Sequence, residues 1–553
     1  MDNKASVSDN GKDRNTIRKE VIAALIVSAF HLIITFFTDR HIFTVSPSEN
    51  LSDYIICKVI AFFVLFALYS AVFITIHHLI RKEGGEPPLI LNVIKWSLPY
   101  LLIVIPVCFF KLSGGYLSND ENLIYENAVT LTHYTWFYYI TTYYYIVSLM
   151  LIPFKYGPII MKLLIELCVT GYVTFRINRI FGKKYGIFSY MLFLLYPVIA
   201  YTTSAHRLPV YFFVYLYLFS TLIFDLTQKK AAGSVSAPDD DKQPLSAKKG
   251  SLISLKKELW LIFISAILTQ WRTEGIYLIV ISTILMFMAY DLHKDRKRAV
   301  LTLILVLVCQ YLVSVPQNGF FARELSAAAD DRMKPFYAYT VTNMFRNGLD
   351  RDKNRDELEI IDRYISIEKI DAINDYYGDI NYEDVLILYM DGFVGVREEA
   401  GLTEYFDFAN ACKKLFMNNI PVLFRTRTGA FLYAALPYHI TLNGTDPKAL
   451  LSFGISIVKT VMYNLFIPVI IILLVFVYSV IKRRWFTFFV TGGLLSHLFI
   501  VFVLAPASYF KYYFPVYIMG YFYLMLIIMS FIKNRSSKNG STGDSEGSVC
   551  LLH

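Results

Sequence analysis

The residues of this chain best suited to chemistry are an adjacent acid pair, Asp120 and Glu121, in the stretch Ser118-Asn119-Asp120-Glu121-Asn122-Leu123-Ile124-Tyr125. The pair follows directly on an apolar run that ends near Phe110. Acids at the edge of a membrane-length apolar run call for a functional explanation, because ionisable groups there are costly. A positioned carboxylate can act as a general base, worth about 10²–10⁴-fold in rate. Neighbours in sequence leave a helix in different directions. One acid would then do chemistry while the other holds a helix N-terminus or a partner cation. The pair reads equally well as a helix start, in which Asn119 or Asp120 caps a helix Glu121 to Thr130 and acids favour its positive end.

Cations that could complement such an acid lie far away in sequence. Arg272-Thr273-Glu274-Gly275 interrupts an apolar stretch between Leu259 and Met288. A buried Arg needs a partner: Arg272 could pair with Glu274 as a structural brace, or turn its planar donor fork to a phosphate. His206-Arg207 occupies a short loop, Thr202 to Pro209, as a phosphate or sugar ligand or simply as exposed loop. Tyr509-Phe510-Lys511-Tyr512-Tyr513-Phe514-Pro515 opens the last apolar run. Lys511 and Tyr512 there suit a phosphate head group or an interfacial anchor. His133 is a weaker candidate, since a lone His is more often a hydrogen-bonded structural residue.

The elements that must position these residues are membrane helices. The chain has 553 residues, 56% hydrophobic and 18% charged, with mean hydropathy +0.47. Soluble domains carry about 25% charged residues, and a helix crosses a bilayer in about 20 residues. An all-α polytopic membrane protein is expected, since a barrel would show alternating strands instead. The net charge of +9 does not point to nucleic acid, because most Lys and Arg fall in short loops. Six scattered cysteines form no disulfide framework and no zinc spacing.

Twelve apolar runs read as spans: 20–38, 54–80, 91–111, 158–180, 186–202, 209–226, 258–271, 275–290, 299–316, 453–481, 485–504 and 514–532. With both termini cytoplasmic, the basic clusters Lys12 to Lys19, Arg81-Lys82, Arg176 to Lys184, Lys229-Lys230, Lys256-Lys257, Lys294 to Arg298, Lys482 to Arg484 and Lys533 with Arg535 all fall inside. The acid pair, His206-Arg207, Arg272 and Lys511 then all fall outside. The aromatic segment Tyr134 to Pro153 would invert this order if it crossed, so it reads as a helix lying at or dipping into the outer surface. Its tyrosines 138, 139, 143, 144 and 145 would form an interfacial face.

The remaining segments are hydrophilic. Residues 1–19 read as a cytoplasmic tail, 228–257 as a flexible cytoplasmic linker, and 533–553 as a disordered Ser/Gly tail. Residues 317–452 read as a small, mainly helical exterior domain, with helical patches at Glu357 to Tyr364 and Tyr405 to Met417. Turns are expected at Asn347-Gly348 and Asp391-Gly392. The run Asp239-Asp240-Asp241 lies on the cytoplasmic side in the linker. No HExxH, Walker loop or dinucleotide fingerprint occurs. No cofactor is indicated; a divalent metal is compatible with this chemistry, but no motif indicates one.

Taken in order, these pieces resemble the GT-C superfamily of polytopic glycosyltransferases, and most closely the bacterial relatives of protein O-mannosyltransferases and lipid A aminoarabinose transferases. The carrying pieces are Asp120-Glu121 with Tyr125, the aromatic helix after them, and Gly157 to Lys184 ending in Asn178-Arg179-Ile180-Phe181-Gly182. Then come Tyr196-Pro197 ahead of Thr203, Arg272-Thr273-Glu274-Gly275, and Lys511-Tyr512-Tyr513-Phe514-Pro515. The last is similar to an Arg-Tyr-x-x-Pro element that opens a late helix in that family. Lys511 departs from the usual Arg, two spans precede the acid loop's helix, and 317–452 matches no known acceptor-binding domain.

The resemblance implies an inverting transfer of a sugar from a polyprenyl-phosphate donor to a glycan, lipid or protein acceptor of the cell envelope, at the outer face of the cell membrane. It implies Asp120 as base, with Glu121 as runner-up, and Arg272, Lys511 and Arg207 as phosphate ligands. Tyr125, His133, His206, Glu274 and Tyr512 would line the substrate site. A lipid-linked glycan polymerase or ligase is the first alternative. A transporter or flippase is the second, although the chain shows no matched halves.

Overall fold

The computed structural model of the protein describes residues 5–44, 51–81, 87–112, 119–133, 138–234, 254–318, 333–377, 395–438 and 447–540. Among these the chain is helical, with one isolated antiparallel bridge between Ile365 and Val396. Ten described helices are long and apolar enough to cross a membrane. A bent pair, Lys183–Phe193 with Tyr196–Thr202, meets at 71° and makes an eleventh if taken as one broken span. The run expected at 258–271 is a helix of 17 residues, Leu255–Trp271. The protein is an all-α polytopic membrane protein. It divides into two compact units, Met1–Ala232 and Gly233–His553.

The first unit opens with α1 (Ala5–Ile42) and α2 (Leu51–Arg81), which pack together. The expected polar tail is therefore helical from Ala5 onward. Buried charge links the pair: Lys58 Nζ lies 2.5 Å from Asp39 and donates to Thr35 at 2.6 Å. Next come α3 (Leu89–Leu112), α4 (Asn119–Val129), α5 (Tyr139–Leu151) and α6 (Gly157–Phe181). Helix α6 approaches α3 so closely that a Cβ on Gly171 would sit 2.2 Å from the Val93 carbonyl oxygen. Three short helices follow, α7 (Lys183–Phe188), α8 (Tyr190–Phe193) and α9 (Tyr196–Thr202), and then α10 (Leu208–Ser234). The break falls at Leu195 before Tyr196-Pro197, where the proline sits in the first turn of α9.

The aromatic helix is short, as a segment that does not cross would be. Helix α5 spans 13 residues and packs on α1, α2, α4 and α6, with Tyr139, Tyr143 and Tyr145 buried. Three of the five expected tyrosines therefore face inward, while Tyr138 and Tyr144 are half-buried. Each inward hydroxyl needs a partner. Tyr143 donates to Asp53 at 2.6 Å and Tyr144 to the Pro158 carbonyl at 2.6 Å.

The second unit begins with α11 (Leu255–Trp271), a 3₁₀ turn Thr273–Tyr277, α12 (Leu278–Tyr290) and α13 (Arg296–Asn318). The hydrophilic block is mainly helical where described: α14 (Lys334–Arg346), α15 (Arg355–Asp362), α16 (Ile367–Tyr377), α17 (Leu402–Asn418) and α18 (Ile420–Ala435). Its core is aromatic, with Tyr364 stacked on Phe408 at 4.9 Å. Two buried amides, Asn354 and Asn419, exchange hydrogen bonds of 3.3 and 2.7 Å. The turn expected at Asn347-Gly348 is present, with Gly348 at φ +83°. The turn at Asp391-Gly392 lies outside the described residues, as do 235–253 of the linker and the run Asp239 to Asp241.

The unit closes with α19 (Pro447–Met462), α20 (Phe466–Ile481), α21 (Trp485–Leu504), a 3₁₀ turn Phe510–Tyr513 and α22 (Phe514–Gly540). The last helix runs to Gly540, so residues 533–540 of the expected tail are helical, and 541–553 lie outside the described residues.

Candidate functional site

The acid pair starts a helix, as its residue types predict. Asp120 and Glu121 stand in the first turn of α4. Glu121, Ile124 and Ala128, at i, i+3 and i+7, form its fully buried face. Asp120 leaves the helix about 100° away from Glu121 and is half-buried. One helical step therefore separates an internal carboxylate from a partly open one.

Glu121 is held from the turn that precedes α10. Arg207 Nη1 donates to its Oε1 at 2.6 Å, and His206 Nδ1 lies 3.2 Å from Oε2. The Arg207 backbone N–H also points to Oε1, at 3.4 Å. A fully buried carboxylate is tolerable only with such pairing. Arg207, expected to face a phosphate, is committed to Glu121. For Asp120, no hydrogen bond or ion pair is formed with any described residue.

Tyr145 of α5 lies against this charge group. Burial raises its hydroxyl well above the usual phenol range, the Glu121 charge adds to the rise, Arg207 opposes it and Asp120 adds again. Tyr125 is half-buried one turn beyond Glu121, with its hydroxyl also raised by burial. Lys155 Nζ stands 6.0 Å above the Tyr125 ring. His133 belongs to a different cluster. Its Nε2 lies 3.0 Å from Asp53 of α2, the carboxylate that also accepts from Tyr143.

The turn bearing His206 and Arg207 is braced from below by Lys162. This buried lysine of α6 donates to the Tyr201 carbonyl at 3.4 Å and, in a shorter bond, to the Ser204 carbonyl. Glu166, one turn on, is fully buried near Lys162 and Thr202. Sequence reading passed over Lys162, Glu166 and Lys155, and took Tyr145 as part of an interfacial face, not as a neighbour of Glu121. The signal for the first two was an i, i+4 charge pair inside an apolar span.

The second unit gathers the other predicted residues. Arg272 ends α11 in extended conformation (φ −147°, ψ 144°), and its Nε donates to Glu274. Thr273 Oγ1 donates to the second Glu274 oxygen at 3.2 Å. The turn needs Gly275, where a Cβ would meet the Leu268 carbonyl oxygen at 2.6 Å. The Arg272 guanidinium lies 5.1 Å over the Tyr512 ring, and Lys511 Nζ lies 5.9 Å from the same ring. His497, fully buried on α21 and missed in the sequence, faces the Tyr512 carbonyl at 3.1 Å and the Tyr277 ring edge-on at 5.8 Å. Arg272, Glu274, Lys511 and Tyr512 thus meet although about 240 residues of chain separate the two pairs, and the Arg–Glu brace is realised.

Comparison with models of known protein families, with curated proteins and with solved structures finds no match in any of the three. Among the described residues no group of three or more His, Cys, Asp or Glu side chains could hold a metal ion.

Proposed function

We propose that the protein is a membrane glycosyltransferase of GT-C type, which moves a sugar from a polyprenyl-phosphate donor to a cell-envelope acceptor at the outer face. The reading takes twelve spans, with the bent pair and α11 completing the ten longest, and both termini inside. Its chief support is the division of labour in the acid pair. Glu121 is engaged by Arg207 and His206, which leaves Asp120 beside it as the carboxylate not held by a described residue.

In this scheme Asp120 takes the proton of the acceptor hydroxyl as that oxygen bonds to the anomeric carbon. The bond from that carbon to the phosphate oxygen breaks on the opposite side, so configuration inverts and polyprenyl phosphate leaves. Arg272 and Lys511, sharing the Tyr512 ring, stabilise the charge that develops on the leaving phosphate. Glu121 acts as a positioning residue, fixing the first turn of α4 and with it the direction of Asp120.

The test is transfer from a panel of labelled polyprenyl-phosphate sugars in membranes containing the wild type, Asp120→Asn or Arg272→Ala. Asp120→Asn is expected to slow transfer by about 10²–10⁴-fold. Wild-type rates in both variants would rule the scheme out. Labelled substrate crossing the membrane without covalent turnover would favour a transporter.

A further inference from the structure

Two consecutive helices of the hydrophilic block have unlike surfaces. Helix α17 turns Asp407, Asn410, Lys413 and Lys414 outward and keeps Phe408, Cys412 and Leu415 inside. That is the pattern of a helix with water on one side. Helix α18 follows after Asn419 and exposes Ile420, Phe424, Leu432 and Tyr433. Its 16 residues include no Asp, Glu or Lys. Of its two arginines, Arg427 is buried, while Arg425 is exposed and donates to the Asn347 carbonyl at 3.2 Å. An outward face of this kind marks a contact surface, because large apolar side chains grouped in water are uncommon.

The position of α18 is fixed by the ends of three spans. Arg427 donates to the Phe502 and Ala505 carbonyls at the end of α21, each at 2.7 Å. Leu465, just ahead of α20, donates its N–H to the Ala435 carbonyl at 3.1 Å. The Phe431 ring lies 6.0 Å from Phe466, the first residue of α20, and 5.4 Å from Tyr513, the residue before α22. Helix α21 has 20 residues, roughly 30 Å at 1.5 Å per residue, which matches the hydrocarbon core of a bilayer. Its end at Leu504 therefore stands at the bilayer boundary. A helix that meets this end and the starts of α20 and α22 along its own length lies across them, in the plane of that boundary.

We infer that the outward face of α18 is embedded in the interfacial layer of the bilayer, so that lipid covers Ile420, Phe424 and Leu432. Continuity with the spans carries the choice of lipid. The exposed Phe424 ring lies 5.7 Å from the half-buried Phe502 ring, and at this pair the apolar surface of α18 joins that of α21. Helix α21 in turn exposes Phe499 and Leu504, as a lipid-facing span does. Tyr433 and Arg425 suit the same layer, where an apolar body and a polar tip are both accommodated. The hydrophilic block is then seated on the membrane through α18 as well as through the spans at its two ends. This seating does not depend on the sugar-transfer reading, nor on which face of the membrane the boundary belongs to.

The experiment is fluorescence quenching of the full-length protein in phosphatidylcholine nanodiscs. Cys168, Cys309 and Cys550 are replaced by serine, and Cys57, Cys108 and Cys412, which are buried, are kept. Ile420→Cys and Leu432→Cys on α18, and Asn410→Cys and Lys413→Cys on α17, are each labelled with nitrobenzoxadiazole. The quenchers are iodide in the water and a nitroxide on the lipid chain, placed either near the headgroup or at the far end. The labels at 420 and 432 are expected to emit to the blue of those at 410 and 413. They should lose most of their emission to the nitroxide near the headgroup and little to iodide, with the reverse at 410 and 413. Tyr433→Cys, on the same face, takes the place of either α18 variant that fails to fold. Iodide quenching at 420 and 432 equal to that at 410 and 413 would show a solvated face and overturn the inference. Protection from both quenchers would show a protein partner or a second copy over α18, and strongest quenching from the far end of the chain would show a helix that enters the core. Either result overturns it as well.

Discussion

Glu121 in the first unit and Arg427 in the second are both buried charges, and the chain treats them in opposite ways. Glu121 receives a guanidinium and an imidazole from a turn 86 residues away in sequence. Arg427 receives two backbone carbonyls and the Phe336 ring, and forms no ion pair with a described residue. A charge whose complement comes from the same chain is a positioning device, and its energy goes into one fixed geometry. A charge met only by backbone carbonyls or solvent is not fixed by a countercharge in the same way. Asp120 repeats the second case on a small scale, one residue from the first.

The sharpest break of this contrast is Glu121→Ala. It leaves Arg207 buried without its acid, and the expected loss is about 3–5 kcal/mol of unfolding free energy. Chemical denaturation of the detergent-solubilised protein measures it. Adding Arg207→Met to Glu121→Ala is expected to recover much of that loss, because the stranded cation is then gone. No recovery would mean that the helix start, and not the ion pair, carries the stability.

His206→Ala sharpens the comparison by removing the weaker of the two partners. His206 is the more exposed, and its loss is expected to cost about 1 kcal/mol in the same measurement. Asp120→Asn belongs at the other extreme. A half-exposed acid outside the buried pair should change stability by less than about 0.5 kcal/mol, so a large loss of transfer with an unmoved denaturation midpoint separates chemistry from folding.

The smallest effect concerns a rim pair of the helical domain. Glu357 accepts from Lys414 at 2.7 Å, and this hydrogen bond is the first cause holding its carboxyl below the usual range. The contribution of a depressed carboxyl is complete above its unfolded value and is lost as pH falls through the folded value. Acid unfolding should therefore steepen slightly on the low side of the carboxylate range, and Glu357→Gln should remove that component. High salt should mute the difference, since Lys414 is mostly exposed.

Much of the fold was legible because a membrane span is written in composition. The apolar runs at 20–38, 209–226 and 485–504 fall within helices α1, α10 and α21. The helix at α5 was legible, but the inward packing of Tyr139, Tyr143 and Tyr145 was not, because a tyrosine-rich face has the same composition at an interface as in a core. What decides is whether each hydroxyl finds a partner, and Asp53 and the Pro158 carbonyl supply two from distant sequence. Asp120 and Glu121 were visible as a helix start and as acids out of place. Which of them turns inward depended on α4 meeting the 204–207 turn, and no local pattern encodes that meeting. His497 was invisible for the same reason: it sits in an apolar run and acquires meaning only beside Tyr512 and Tyr277.

The account as a whole requires Asp120 of the first unit and Arg272 of the second to open on one side of the membrane. Two exposed neighbours report on this directly, Glu126 and Thr273. Each is replaced by cysteine in a background carrying Cys168→Ser and Cys550→Ser, and sealed right-side-out vesicles are treated with a membrane-impermeant thiol reagent. The account predicts that Glu126→Cys and Thr273→Cys are both modified from outside at comparable rates, with Lys482→Cys protected until the vesicles are opened. Modification of one of the first two from outside and of the other only after opening would place the acid and the cations on opposite faces, and would contradict it.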